Sequence, residues 1–83
     1  MQQKVLFTTT LLDIQMAILV VLQPGSSLSL AELGVLVANY LSERNFCTSV
    51  LEVGLMIDEP LQRLSAMGVV SISQGAIGTF VSR

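Results

Sequence analysis

The sequence predicts an α+β domain of three to four helices closed by a C-terminal two-stranded β-hairpin. Three observations carry this expectation. Helix-start residues recur at Thr10, Ser29 and Asp58, and apolar residues at helical spacing follow each of them. Pro24-Gly25 and Gly68 punctuate the chain where a helix cannot continue. Beyond Gly68 the apolar period drops to two, in Val69–Ser73 and again in Ile77–Val81, around a Gln74-Gly75 dipeptide with the chemistry of a hairpin turn.

A chain of 83 residues is one domain. The reading divides it into an arm at 1–9, a helical part at 10–67 and the hairpin at 69–82. Of its residues 52% are hydrophobic and only 12% are charged. A domain this small buries about 60–65% of its unfolded surface, so it has too few polar side chains to cover its outside. The excess implies that a second chain covers part of it, and a homodimer is the expected form. No membrane span is expected, because the longest apolar run, Met16 to Leu22, is seven residues against the roughly 20 a span requires. The opening MQQKVLFTTTLL has no secretory h-region, and the lone Cys47 can form no internal disulfide. Both point to the cytoplasm.

The elements follow in order. Val5, Leu6 and Phe7 favour extended structure, as a strand or as a packing arm. Thr10 to Leu22 reads as the first helix, with Thr10 and Asp13 at capping-box spacing. The β-branched stretch Ile18–Leu22 also suits a strand, but its apolar character begins too far upstream for one. This helix is apolar almost all round, so one side meets the domain core and Leu12, Met16, Leu19 and Val20 are the candidates to meet a partner. Gln23–Ser27 is a turn. Ser29-Leu30-Ala31-Glu32 opens a second helix that runs to about Glu43, with Leu30, Leu33, Leu36, Val37, Tyr40 and Leu41 facing inward. Ser42–Asn45 is a solvated turn.

Phe46–Ile57 admits two readings. Either Thr48 or Ser49 caps a separate short helix, or the next helix begins near Ser49 and bends at Pro60. Asp58 is read as an N-cap, with Pro60 in the first turn of a helix to Met67 whose Leu61, Leu64 and Met67 face inward. Gly68 is its left-handed stop.

Leu61-Gln62-Arg63-Leu64-Ser65-Ala66-Met67-Gly68-Val69-Val70 resembles the end of the recognition helix and the opening of the wing in winged helix-turn-helix domains. Ser29-Leu30-Ala31-Glu32-Leu33 is similar to the start of their second helix. The likeness extends from Thr10 to Arg83, more loosely toward small PadR-type bacterial or phage regulators. It implies that Glu59, Gln62, Arg63 and Ala66 occupy base-reading positions. Gln62 and Arg63 are the candidates there for DNA contact, and the basic Arg44 and Arg83 are further candidates.

No histidine is present, which excludes histidine triads, histidine metal sites and the usual neutral-pH general base. Cys47 without a histidine reads as a small buried hydrophobe. The six glycines fit no phosphate-binding spacing. No enzyme activity, metal or cofactor is expected. The resemblance implies a DNA-binding transcriptional regulator acting as a homodimer. The composition favours the alternative, a protein-interaction module or an accessory inhibitor of phage type that binds a protein partner. Net charge is −2, and Lys4, Arg44, Arg63 and Arg83 are all the basic side chains. Specific DNA binders commonly make about 6–10 phosphate contacts.

Overall fold

The computed structural model describes residues 7–83, so Val5, Leu6 and Lys4 lie outside the described residues. Nine elements follow one another: β1 (Phe7–Thr8), α1 (Leu11–Val21), β2 (Ser27–Ser29), α2 (Leu30–Glu43), β3 (Phe46–Cys47), α3 (Val50–Met56), α4 (Asp58–Ala66), β4 (Ser71–Gly75) and β5 (Gly78–Ser82). The described residues are thus α+β, with four helices and two small sheets. None of the described helices is long and apolar enough to cross a membrane.

Local chemistry accounts for most boundaries. At the head of α1, Thr10 Oγ1 accepts the Asp13 N–H, and Asp13 Oδ2 accepts both the N–H (2.9 Å) and the hydroxyl (2.8 Å) of Thr10. That completes the expected capping box. Pro24-Gly25 ends the helix region, with Gly25 at φ 84°. Here the chain is stitched to its own C-terminus, because Gly25 N–H donates to Arg83 O and Arg83 N–H donates to Ser26 O.

This stitch leads into an element the periodicity did not reveal. Ser27–Ser29 forms β2, antiparallel to β5, with Leu28 opposite Val81 and Ser29 opposite Phe80. The hairpin therefore belongs to a three-stranded sheet of order β2-β5-β4 rather than standing as two strands. Ser29 serves twice, ending β2 and capping α2 through the Glu32 N–H. The Glu32 carboxylate accepts the Ser29 hydroxyl at 3.1 Å.

Ser49, not Thr48, caps α3 by accepting the Glu52 N–H at 3.2 Å. The separate short helix is the reading that holds. Helix α4 begins at Asp58, two residues before Pro60 and without a side-chain cap. Asp58 is therefore a first-turn residue, a correction to its reading as the N-cap. The physical reason is that Ile57 keeps right-handed helical angles and serves both helices, donating to Val53 O and accepting from Leu61 N–H. Pro60 has no N–H to give to Met56, which separates the two helices. Gly68, at φ 75°, closes α4 with Val69 N–H bonded to Leu64 O and Gly68 N–H bonded to Ser65 O. This is the paired pattern of a glycine-terminated helix.

The hairpin turn also differs from expectation. Gly75 pairs with Gly78, so the two-residue loop is Ala76-Ile77 and not Gln74-Gly75. Strand β4 starts at Ser71, and Val69-Val70 precede it as connection. Val70 is buried in the core.

The core draws on every helix: Ile14, Ala17 and Ile18 from α1, Leu33, Val37 and Leu41 from α2, Val53 from α3, and Leu61 and Leu64 from α4. Val81 closes it from the sheet. No polar or charged residue is fully buried among the described residues, although the hydroxyl of half-buried Thr48 is covered. Two inward assignments are corrected. Met67 lies beyond the last turn of α4 and is exposed, and Leu36 lies beside the buried Leu33–Val37–Leu41 row and faces out.

Candidate functional site

Two faces compete for the role of working surface. The first is the outer side of α4. Glu59, Gln62, Arg63 and Ala66 are all exposed there, because Leu61 and Leu64 take the core side. Arg63 Nη2 lies 3.1 Å from Glu59 Oε1, an i,i+4 pair along the helix. Both partners are more than half exposed, so the pair is worth about 0.3–0.5 kcal/mol. Asp58 and Glu59 place two carboxylates in the first turn, where they suit the helix dipole and oppose a phosphate backbone.

The other candidate arginines are held elsewhere. Arg44 lies over the Tyr40 ring at 3.7 Å and donates to Tyr40 O at 3.3 Å, at the end of α2. Arg83 Nη1 donates to Leu19 O at 2.8 Å and Leu22 O at 3.1 Å. It thereby supplies the cationic cap that α1 lacks in its own last turn. Arg83 follows β5 at its open end, six residues from Ile77 in the loop at the hairpin tip, or about 20 Å of strand. The three arginines among the described residues thus hang on three different helices, and each bonds within its own chain.

The second face is α1. Leu12, Met16 and Val20 are 61%, 56% and 48% exposed, and Leu19 is half-buried between them. They form one stripe opposite Ile14, Ala17 and Ile18, which are fully buried. The stripe carries no charge.

Other apolar surface escaped the sequence reading. A shallow groove of about 340 Å³ is lined by Ala31, Glu32, Val35 and Leu36 on α2. An adjoining hollow of about 380 Å³ shares Ala31 and reaches Ile77 and Thr79 on the hairpin. Leu51 and Leu55, one turn apart on α3, are exposed as well. Their i,i+4 spacing was visible, but only the fold shows that this face is left uncovered. Ile77 stands 87% exposed in the hairpin loop, a position hidden by the misplaced turn.

No catalytic constellation emerges from these surfaces. Among the described residues no group of three His, Cys, Asp or Glu side chains could hold a metal ion. Cys47 is exposed on β3 rather than buried, a correction: in this two-residue strand it is Phe46 that packs against the core, and the alternation turns Cys47 outward. No protein-family model, characterised protein or solved structure matches the chain.

Proposed function

We propose that this chain is a winged-helix domain that works through protein contact and assembles as a homodimer through α1. The observation that carries the reading is the stripe of Leu12, Met16 and Val20. It leaves large apolar side chains in water on a helix whose opposite side is already the core. An uncharged face of this kind suits a protein interface, whose centre is depleted of charge. What supports the winged-helix assignment is the element order, with α1, α2, α3 and α4 followed by the β4–β5 hairpin. The hairpin is backed by β2 in a β2-β5-β4 sheet.

Sedimentation velocity at micromolar concentration tests the assembly. The native chain is expected to sediment as a dimer. Met16→Glu is expected to sediment as a monomer with native helix content by circular dichroism and a melting temperature that no longer depends on concentration, because Met16 lies outside the core. A native monomer at about 100 µM would remove the homodimer.

One observation favours a second reading, duplex DNA. Gln62 and Arg63 stand side by side on the outer face of α4, and the weak Glu59 pair leaves Arg63 able to exchange its partner for a phosphate. Binding to random duplex at low salt, reduced by Arg63→Ala, would support it. No binding at low salt removes it, because that is where electrostatic association is strongest.

A further inference from the structure

The homodimer reading leaves the arrangement of the two copies open, and the chemistry of the two ends of α1 narrows it. Leu12, Met16, Leu19 and Val20 occupy an arc of about 100° around the helix. At one end of this stripe stands Asp13, whose two hydrogen bonds to Thr10 both fall on Oδ2, leaving Oδ1 for another donor. At the other end stands the Arg83 guanidinium, brought in from the end of β5. Its Nη1 is committed to Leu19 O and Leu22 O, which leaves Nη2 and Nε as further donors. The exposed face of α1 is therefore negative at its start, apolar along its middle and positive at its finish.

We infer that the second copy lies antiparallel along this face, with Asp13 of each protomer against Arg83 of the other. A two-fold pairing repeats every contact twice, so one surface must be complementary to itself. The stripe from Leu12 to Val20 has its midpoint at Met16. The midpoint between Asp13 and the carbonyls that hold Arg83 falls at residues 16 to 17. A two-fold axis at Met16–Ala17 satisfies both the apolar and the charged requirement in a single register. A parallel pair would set Asp13 against Asp13 and Arg83 against Arg83. An unrelated partner would need its own apolar stripe with opposite charges at the matching ends, whereas a second copy has them by symmetry. Helix α1 has 11 residues and is about 16 Å long, so the contact is small and the dimer is expected to be in the micromolar range.

The inference rests on the homodimer reading, and its test separates the two. Sedimentation equilibrium is run on the native chain, on Asp13→Asn, on Arg83→Gln and on the double variant. Each single exchange removes the charge from both symmetry-related pairs but keeps an amide able to accept from Thr10 or to donate to Leu19 O and Leu22 O, and is expected to weaken the dimer roughly fivefold or more. In the double variant the partner charge is already gone, so its dissociation constant is expected to lie within about twofold of the weaker single rather than at the product of the two losses. That non-additivity reads the contact between copies and not the folding of α1.

Register is read independently in a Cys47→Ser background. Leu12→Cys chains are mixed with Val20→Cys chains and treated with a thiol-to-thiol linker about 8 Å long. In the antiparallel register, position 12 of one copy lies within about one residue of position 20 of the other, while the two copies of position 12 are about 14 Å apart along the axis. Linkage between 12 and 20 is expected to outpace linkage between 12 and 12. Fully additive losses in the double variant, or preferential 12-to-12 linkage, would overturn the antiparallel arrangement and leave the homodimer standing. A native monomer would remove both.

Discussion

The same substitution at two glycines should change stability in opposite directions. Gly68 and Gly54 both have open space where a Cβ would sit, with no heavy atom within 4 Å, so neither exchange for alanine creates a clash. They differ in backbone. Gly68 holds φ 75° as the left-handed stop of α4, whereas Gly54 is inside helix α3. An alanine in the left-handed region costs about 1–2 kcal/mol. An alanine replacing glycine within a helix gains about 0.8–1.0 kcal/mol. At about 2.1 cal/mol/K per residue, an 83-residue chain has an unfolding entropy of about 0.17 kcal/mol/K, so 1 kcal/mol moves the melting temperature by about 6 °C. Gly68→Ala is therefore expected to melt about 6–12 °C lower than the native chain, and Gly54→Ala about 5 °C higher. Both are read by circular dichroism at one fixed protein concentration, since the proposed dimer would make the transition concentration-dependent. A shift of the same sign in both variants would refute the assignment of Gly68 as a left-handed stop and Gly54 as a helical residue.

Thr10→Ala removes one half of the α1 capping box and is expected to cost about 1 kcal/mol in chemical denaturation. Leu64→Ala leaves a cavity among fully buried side chains and is expected to cost about 2–5 kcal/mol, enough to leave a marginal domain partly unfolded by the same assay. Thr48→Val should be neutral or raise stability by up to about 1–3 kcal/mol, because Thr48 Oγ1 is buried without a hydrogen-bond partner among the described residues. A loss of stability there would mean that the hydroxyl is satisfied after all. Glu59→Gln, which breaks the exposed pair with Arg63, should change the unfolding free energy by no more than about 0.5 kcal/mol in the same assay.

The parts of the fold that were legible in the sequence are those decided by neighbouring residues. Thr10 and Asp13 are three residues apart and satisfy one another, so the start of α1 was readable without the rest of the chain. Gly68 likewise ends α4 through bonds that span only six residues. The errors fall where a distant partner decides. Ser27–Ser29 becomes a strand because Phe80–Ser82 lies beside it, more than 50 residues away along the chain. The hairpin loop moved to Ala76-Ile77 because the register is set by which residues reach the core. Val81 is buried and pairs with Ile72, and that pairing brings Gly75 opposite Gly78. Of the candidate site residues, the α1 stripe was legible because a helix apolar all round must expose one side. The bonding of Arg83 to Leu19 and Leu22 was not, because those partners are 64 and 61 residues away.

That long-range contact bears on function more than the arginine count does. Four basic residues already make a poor match to duplex DNA. The fold commits at least one of them, Arg83, to the end of a helix whose carbonyls would otherwise lack a cationic partner. Removing that guanidinium would cost α1 its C-terminal cap, so Arg83 cannot move to a phosphate without a penalty to the domain itself. Arg63 is bound only by an exposed ion pair and carries no such penalty. The DNA reading therefore narrows to Arg63 and Gln62 on α4, one cation per copy on a helix that opens with two carboxylates. Two copies would bring two such cations, well short of the roughly 6–10 phosphate contacts of specific binders. The proposed homodimer needs no such supplement, since a second copy would cover the apolar stripe on α1 and Arg83 would contribute there from the place where it is already held.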